Sequence, residues 1–121
     1  MSNTKIVITE KDLREQVRDL CRLFGWKMYF SWTSIHSPRG FPDLVLVHPS
    51  KNRVIFAELK SEKGKLTEEQ VEWLDALGKC GQEVYVWRPS NWEEIVSVLQ
   101  NDTTENKQNK EALCTVSKTG S

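Results

Sequence analysis

Two apolar runs separated by four turn-forming residues constrain the fold of this chain more than any other feature. The first run, 43–48, reads DLVLVH, and the second, 53–60, reads RVIFAELK, with PSKN between them. Continuous apolar runs of this length are typical of strands at the centre of a sheet. Because so short a connection joins antiparallel strands, the sequence predicts a β-hairpin in the middle of the domain.

Helical patterns on both sides of this hairpin predict an α/β domain. Apolar residues recur at helical spacing after the N-cap residue Thr9, and Gly25 is a good helix stop. Thr67 caps a second helix, and a capping box at 90–93 starts a third helix that ends near Leu99. The predicted helices are therefore 10–24, 68–79 and about 90–99, and the predicted strands are 26–32, 43–48, 53–60 and 83–88. In the order α-β-β-β-α-β-α, helices cover a mixed central sheet.

The length of the chain and its changes in composition indicate one small domain. A chain of 121 residues can bury one modest core. Residues 1–8 form a short leader and residues 9–99 the folded domain, whereas 100–121 have few large apolar side chains and no periodicity, which predicts disorder. We expect no membrane contact, because no apolar run approaches the ~20 residues that span a bilayer and no secretory signal is visible.

Cysteine usage and net charge limit the classes of function. The cysteines Cys21, Cys80 and Cys114 form no CxxC pair, which argues against a structural zinc site and favours reduced thiols in the cytoplasm. The 17 basic and 17 acidic residues give a net charge of zero, whereas a protein that coats nucleic acid non-specifically is basic. Any contact with nucleic acid must therefore come from a local basic patch.

Asp43, Glu58 and Lys60 are charged residues in otherwise apolar strands. Glu58 and Lys60 are two residues apart, so their side chains share one face of the strand, and the short turn brings Asp43 beside them. Two carboxylates bind a hard divalent cation such as Mg²⁺, and the backbone carbonyl of Leu59 is a further candidate ligand. Such a metal polarises a phosphate and lowers the pKa of a bound water. Lys60 would orient or deprotonate that water, or stabilise charge on phosphorus.

Each of these residues also has an ordinary explanation when it is taken alone. A half-exposed hairpin with a surface Glu–Lys pair would contain the same Glu-x-Lys, and a Pro-Asp pair is equally common. The joint pattern is more demanding, because 40–43 (GFPD) is followed by fourteen residues, including an apolar strand, and then by ELK at 58–60. The residues themselves leave both interpretations open.

Four motifs occur in order along the chain: 39–44 (RGFPDL), 56–60 (FAELK), 65–74 (KLTEEQVEWL) and 83–87 (EVYVW). Together they resemble the PD-(D/E)xK nuclease superfamily, and more closely its VRR-NUC family, the virus-type replication and repair nuclease domain. The resemblance covers about 9–99. It implies a restriction-endonuclease-like core and an endodeoxyribonuclease that depends on Mg²⁺ or Mn²⁺.

The resemblance also implies roles for particular residues. Asp43 and Glu58 would ligate the metal, Lys60 would be the catalytic lysine, and Gln70 matches a glutamine that lies near the active site. Gln70 has a second explanation, because it is the last residue of a capping box in which its side chain would reach back to the amide of Thr67.

The family places a further acidic residue on the first helix, and here the sequence departs from the pattern. The residue that aligns with it is Arg14, while Glu10 and Glu15 are nearby candidates. Glu10 is equally explained as a first-turn acid that the helix dipole favours, and Glu15 as a solvated surface residue. With Asp43 and Glu58 alone one metal is expected, and with a third acid two become plausible.

The position of several residues predicts contacts with DNA phosphates. Arg39 and Gly40 precede Asp43, and Lys63 and Lys65 follow Lys60 on a loop; such contacts make binding depend on salt. A single surface lysine is more often simply solvated. The loop after the first predicted strand also contains Trp32, Ser34, His36 and Ser37, of which His36 is more often a bystander and Trp32 more often a packing residue.

The leading hypothesis is a DNA endonuclease that selects branched DNA. The family that the chain resembles includes stand-alone viral and prophage proteins similar to Holliday-junction resolvases. A protein of that type would act in the host cytoplasm. Because a four-way junction has two-fold symmetry and one small chain holds one active site, we expect a homodimer, with the first helix or the strand 26–32 at its interface. The alternatives are a non-catalytic nucleic-acid-binding or protein-binding module of the same fold, and a nuclease that nicks flaps or acts like a restriction enzyme.

Overall fold

The computed structural model describes residues 7–31, 39–103 and 107–112, and in them helices and strands follow the predicted order. The helices are α1 (Glu10–Phe24), α2 (Glu68–Lys79) and α3 (Trp92–Gln100). The strands are β1 (Lys27–Phe30), β2 (Leu44–His48), β3 (Arg53–Leu59) and β4 (Glu83–Trp87). Turns of 3-10 helix at Pro49–Lys51 and Pro89–Asn91 precede β3 and α3. The predicted α/β fold is confirmed.

The four strands form one mixed sheet in the order β1-β2-β3-β4. β2 pairs antiparallel with both β1 and β3, so the predicted hairpin is present, and β3 pairs parallel with β4. Leu44 lies opposite Ala57, and Glu58 lies opposite Val86. The beginning of β2 and the ends of β3 and β4 therefore meet at the same end of the sheet, next to Asp43, which we call the Asp43 end.

Helices cover both faces of the sheet, and each face has its own core. α1 and α3 pack on one face, and the residues buried there include Leu13, Val17, Leu46, Ile55, Tyr85, Trp87, Ile95 and Leu99. α2 packs on the other face, where Leu74, Val84, Val86 and Ala112 are buried beside the partly buried Phe56, Leu66 and Leu77. Burial of these side chains is the main source of stability of the domain. Both cores reach the sheet residues around the Asp43 end.

The ends of α1 and α3 differ in how well the sequence predicts them. Asp12 N donates to Thr9 Oγ1 over 3.1 Å and Thr9 N donates to the Asp12 carboxylate over 3.0 Å, which completes a capping box. The capping box predicted at 90–93 does not start α3. That helix begins at Trp92, and the Asn91 side chain accepts a hydrogen bond from Arg88 N over 2.8 Å. None of the helices in the described residues is long and apolar enough to cross a membrane.

Residues 107–112 lie along the outer edge of β4, a region for which the sequence predicts disorder. Val84 N donates to the carbonyl of Lys107 over 2.8 Å. The Asn109 side chain accepts from Val86 N over 3.1 Å and donates to Val86 O over 2.5 Å. One amide side chain thus replaces the hydrogen bonding of a strand residue, and the edge of β4 is covered.

The difference from the predicted disorder has a physical reason. Backbone groups, the Asn109 side chain and the fully buried Ala112 hold this segment, whereas the sequence prediction relied on large apolar residues at regular spacing. The remainder of the predicted tail at 104–106 and 113–121 lies outside the described residues.

Candidate active site

Asp43, Glu58 and Lys60 come together at the Asp43 end of the sheet. Asp43 directly precedes β2, and its carboxylate accepts a hydrogen bond from Leu59 N over 3.0 Å. Its own backbone carbonyl accepts from Ser31 N over 3.0 Å. Glu58 lies near the end of β3 and is 2% exposed, while Lys60 follows the strand and is half-buried. The hairpin thus places these three charged residues as its spacing predicts.

The carboxyl group of Glu58 has an unusual electrostatic environment. Burial raises its pKa to about 9, the nearby Asp43 carboxylate contributes to the same rise, and the Lys60 ammonium partly opposes both effects. Its Oε1 atom is buried and has no hydrogen-bond partner among the described residues. A buried carboxylate oxygen without a partner is costly unless a cation or a proton compensates it.

Gln70 caps α2 and also contacts Glu58. Its Oε1 accepts from Thr67 N over 2.8 Å, and its backbone N donates to Thr67 Oγ1 over 3.2 Å, so the capping box is formed. Its Nε2 donates to Glu58 Oε2 over 3.2 Å. Because the cap occupies the amide oxygen, the amide nitrogen must face Glu58. One side chain therefore ties the start of α2 to the buried carboxylate.

The donor atoms at this end suit a hard divalent cation. Asp43 and Glu58 offer carboxylate oxygens, and Glu58 has one oxygen without a partner among the described residues. Mg²⁺ is usually held by one or two carboxylates and keeps several waters, so two acids suffice. No group of three or more His, Cys, Asp or Glu that could share one ion occurs in the part of the chain that the structure describes. The residues thus fit a cation held by two acids and water.

The electrostatics of Glu58 involve one acid on α1. Glu10, the first residue of the helix, contributes to the raised pKa of Glu58, after the larger effects of burial and Asp43. Arg14, which aligns with the acid of the family, instead stacks on the ring of Phe30 with its guanidinium carbon 4.0 Å from the ring centroid. Glu10 therefore lies close enough for its charge to act on Glu58.

The segment before Asp43 is fixed by aromatic packing that the sequence did not reveal. Phe41 makes edge-to-face contacts with Trp73 and Phe56, at centroid distances of 4.9 and 6.0 Å. A Cβ atom at Gly40, which has a φ of 92°, would lie 2.6 Å from the backbone oxygen of Glu69. Gly40 therefore has a packing role of its own, because only glycine allows α2 so close.

The predicted phosphate-contacting residues precede Asp43 and follow Lys60 in the sequence. Arg39, Lys63 and Lys65 are exposed. The loop 61–64 that contains Lys63 is held by Arg88, whose guanidinium donates to the carbonyl of Ser61 over 2.6 Å. Sequence reasoning missed Arg88, since an arginine after a strand carries no signal of its own. Trp32, Ser34, His36 and Ser37 lie outside the described residues.

Comparison with known proteins identifies the family of this chain. Residues 3–91 match the model of the VRR-NUC domain. The Fanconi-associated nuclease 1 homolog of Schizosaccharomyces pombe is 43% identical over 42 residues, which are 35% of this chain and only 6% of that protein. No solved structure gives a significant match. Since the family model covers most of its length, the chain belongs to the VRR-NUC family of nuclease domains.

Proposed function

We propose that this domain is a metal-dependent DNA endonuclease in which Asp43 and Glu58 hold Mg²⁺ or Mn²⁺. The observation that carries the proposal is the contact between these two carboxyl groups, one of which is buried with an oxygen that has no partner among the described residues. Two like charges this close repel each other unless a cation lies between them or one of them is protonated. The repulsion between two such carboxylates adds nothing to the stability of the fold.

The residues around the two acids have separate tasks in this proposal. When bound, the metal polarises the scissile phosphate and lowers the pKa of a water molecule. Lys60 orients that water or takes its proton, or stabilises the negative charge that develops on the phosphate oxygens. Gln70 fixes the rotamer of Glu58 through the hydrogen bond from its Nε2. The carbonyl of Leu59 is a further proposed ligand, because Leu59 N already holds Asp43 in place.

The number of metal ions depends on the first helix. Glu10 raises the pKa of Glu58, and we therefore assign it, in preference to Glu15, as the acid of α1 that acts on the site. With Asp43 and Glu58 as direct ligands, one metal is the basic arrangement, and Glu10 would serve a second metal or a metal-bound water.

DNA is proposed to reach this end of the sheet through Arg39, Gly40, Lys63 and Lys65. The three basic side chains are exposed on the segments next to Asp43 and Lys60, so they suit contacts with phosphates on both sides of the cut. Gly40 keeps the backbone of its turn close to α2. Such contacts carry little sequence information, which agrees with selection by DNA structure, and branched DNA is the proposed substrate.

The proposed assembly is a homodimer that acts in the cytoplasm, or in the host cytoplasm if the source is a phage. Leu23 on α1 and Tyr29 on β1 are large apolar residues that are 72% and 64% exposed, which supports the first helix and the first strand as the interface. Cys21 and Cys80 are free thiols, which suits a reducing compartment.

The test is cleavage of a labelled four-way DNA junction beside linear duplex and single strand, with Mg²⁺, Mn²⁺ or EDTA. We expect paired cuts on the junction, and a rate about 10²–10³-fold lower for Lys60→Ala, the size of effect seen when one charge-stabilising group is removed. Equal cutting of every substrate would leave a nuclease without junction selectivity. No cutting by folded protein with either metal would favour the non-catalytic binding module.

A further inference from the structure

Arg88 connects the loop after Lys60 to the C-terminal segment 107–112. Its Nη1 donates to the carbonyls of Ser61 and Gly64, each over 2.6 Å, and of Glu62 over 3.2 Å. Its Nε and Nη2 donate to the two carboxylate oxygens of Glu111 over 3.0 and 2.9 Å. One guanidinium thus joins two segments that are far apart in sequence.

The geometry of this contact gives Glu111 a directing role. A guanidinium is a rigid planar fork, and a carboxylate that engages it through two bonds fixes the plane of the whole group. With Nε and Nη2 bound to Glu111, Nη1 can point only toward the loop 61–64. The side chain of Arg88 is 16% exposed, so water competes little for these hydrogen bonds.

The same loop is also fixed at its two ends. Lys60 N donates to the carbonyl of Trp87 over 3.0 Å, which continues the pairing of β3 with β4. Gly64 N donates to Ser61 Oγ over 3.1 Å and closes the turn. The turn therefore has a defined shape. It contains the exposed Lys63, and the exposed Lys65 follows its last residue, Gly64.

We propose that Arg88 and Glu111 are positioning residues that hold the loop 61–64 in the shape that presents Lys63 and Lys65 to DNA. The segment 107–112 then contributes to the nuclease although it lies beyond the matched family region, 3–91. This inference rests on the proposed function, since the loop matters for DNA only if DNA is bound at the Asp43 end.

The test compares Glu111→Gln and Arg88→Lys with wild type, and with Glu72→Gln as the matched control on an exposed face of α2. The glutamine of the first variant keeps the shape of the side chain without its charge, and the lysine of the second keeps the charge but cannot form the fork. We expect an increase of KM of about fivefold for both variants with little change in kcat. The logarithm of the DNA-binding constant falls with the logarithm of the salt concentration. In both variants this slope should be shallower by about one for each phosphate that the loop no longer reaches.

A second measurement does not depend on nuclease activity. Trypsin cuts after lysine, so the rate of cleavage after Lys63 and Lys65 in the folded protein reports how often the loop opens. We expect this rate to rise about tenfold in Glu111→Gln, since local opening controls proteolysis, and to stay unchanged in Glu72→Gln.

The two measurements separate this inference from the proposed function. If wild type neither binds nor cuts DNA, the proposed function fails, while faster proteolysis of the variants would still support the holding of the loop. Wild-type values of KM, salt slope and proteolysis in both Glu111→Gln and Arg88→Lys would overturn the inference. If the double variant, which combines Glu111→Gln with Arg88→Lys, changes KM and proteolysis no more than each single variant does, the inference is supported, because the pair then acts as one unit.

Discussion

The sheet has a buried glutamate at each end, and the two differ in what surrounds them. Glu83, at the start of β4, is 8% exposed, and Glu58, near the end of β3, is 2% exposed. Glu83 faces an arginine and a hydroxyl group, whereas Glu58 faces a second carboxylate. The difference supports our proposal that one end of the sheet serves stability and the other end serves binding.

At the end of the sheet that contains Glu83, the chain itself supplies hydrogen-bond partners for the buried carboxylate. Arg53 donates to both oxygens of Glu83 over 2.8 Å from Nε and from Nη2, and the Tyr85 hydroxyl donates over 3.1 Å. The remaining nitrogen of Arg53 donates to the carbonyls of Val98 and Asn101 over 3.1 and 2.8 Å and so closes the end of α3. A buried charge with this many hydrogen bonds is well compensated.

At the Asp43 end the chain compensates the buried carboxyl group of Glu58 only in part. Gln70 donates to one oxygen of Glu58, the other oxygen has no partner among the described residues, and burial together with Asp43 raises the pKa of Glu58 to about 9. Near neutral pH and without metal, Glu58 therefore holds a proton. A divalent cation would replace that proton, so metal binding should release protons and become tighter as the pH rises.

The largest loss of stability is expected from a substitution at the end of the sheet that contains Glu83. Glu83→Gln leaves the buried Arg53 without its counter-charge, which costs about 3–5 kcal/mol when one partner of a buried pair is removed. Urea unfolding measures the free energy of unfolding, and Glu72→Gln on the surface is the control. A change no larger than that of the control would show that the two ends are not distinct.

Glu58→Gln is expected to raise the free energy of unfolding of the metal-free protein, by less than Glu83→Gln lowers it. The folded-state pKa of Glu58 is raised from 4.5 to about 9, so the unfolded chain loses its proton first, and wild-type stability falls as the pH rises between these values. Glutamine removes this dependence. The variant should exceed wild type by roughly 1–3 kcal/mol at pH 8.

The pH profile supplies the control for this prediction. Below about pH 4.5 the group is protonated in both the folded and the unfolded wild-type chain, so the advantage of Glu58→Gln should shrink toward acid. Urea unfolding at several pH values measures the difference in the free energy of unfolding between the variant and wild type. A variant less stable than wild type at pH 8, or an advantage that grows toward acid, would contradict the account of Glu58.

The smallest effect separates the two contacts of Gln70. Gln70→Ala removes a cap and the hydrogen bond to Glu58, and Thr67→Ala removes only the hydroxyl cap; each should lower the free energy of unfolding by about 1 kcal/mol. Cleavage should slow in Gln70→Ala alone, because Gln70 also fixes Glu58. Equal cleavage rates in the two variants would reduce Gln70 to a helix cap.

Local sequence patterns predicted most of the fold, and the central hairpin shows why. The apolar runs of β2 and β3 and the turn between them are encoded by neighbouring residues, so strand bounds, pairing and the approach of Asp43 to Glu58 all follow. The segment 107–112 was missed because Asn109 replaces a backbone partner, and such a contact leaves no periodic signal.

Residues whose roles depend on tertiary contacts were less predictable at the site. Helical spacing could not decide between Glu10 and Glu15, since the choice depends on where the start of α1 meets the sheet. The sequence offered two roles for Gln70 as alternatives, although one amide has atoms for both. Arg88 gains its role from a loop and a C-terminal segment that only the folded chain brings together.

The most direct test of this account is thermal unfolding of wild type and Glu58→Gln at pH 8, each with and without Mn²⁺, with Glu72→Gln as control. A ligand at about 100 times its Kd stabilises the folded state by about 2.7 kcal/mol. The account predicts that Mn²⁺ raises the Tm of wild type and of the control but not that of Glu58→Gln. An equal rise of Tm in all three proteins, or none in wild type, would contradict a metal site at the Asp43 end.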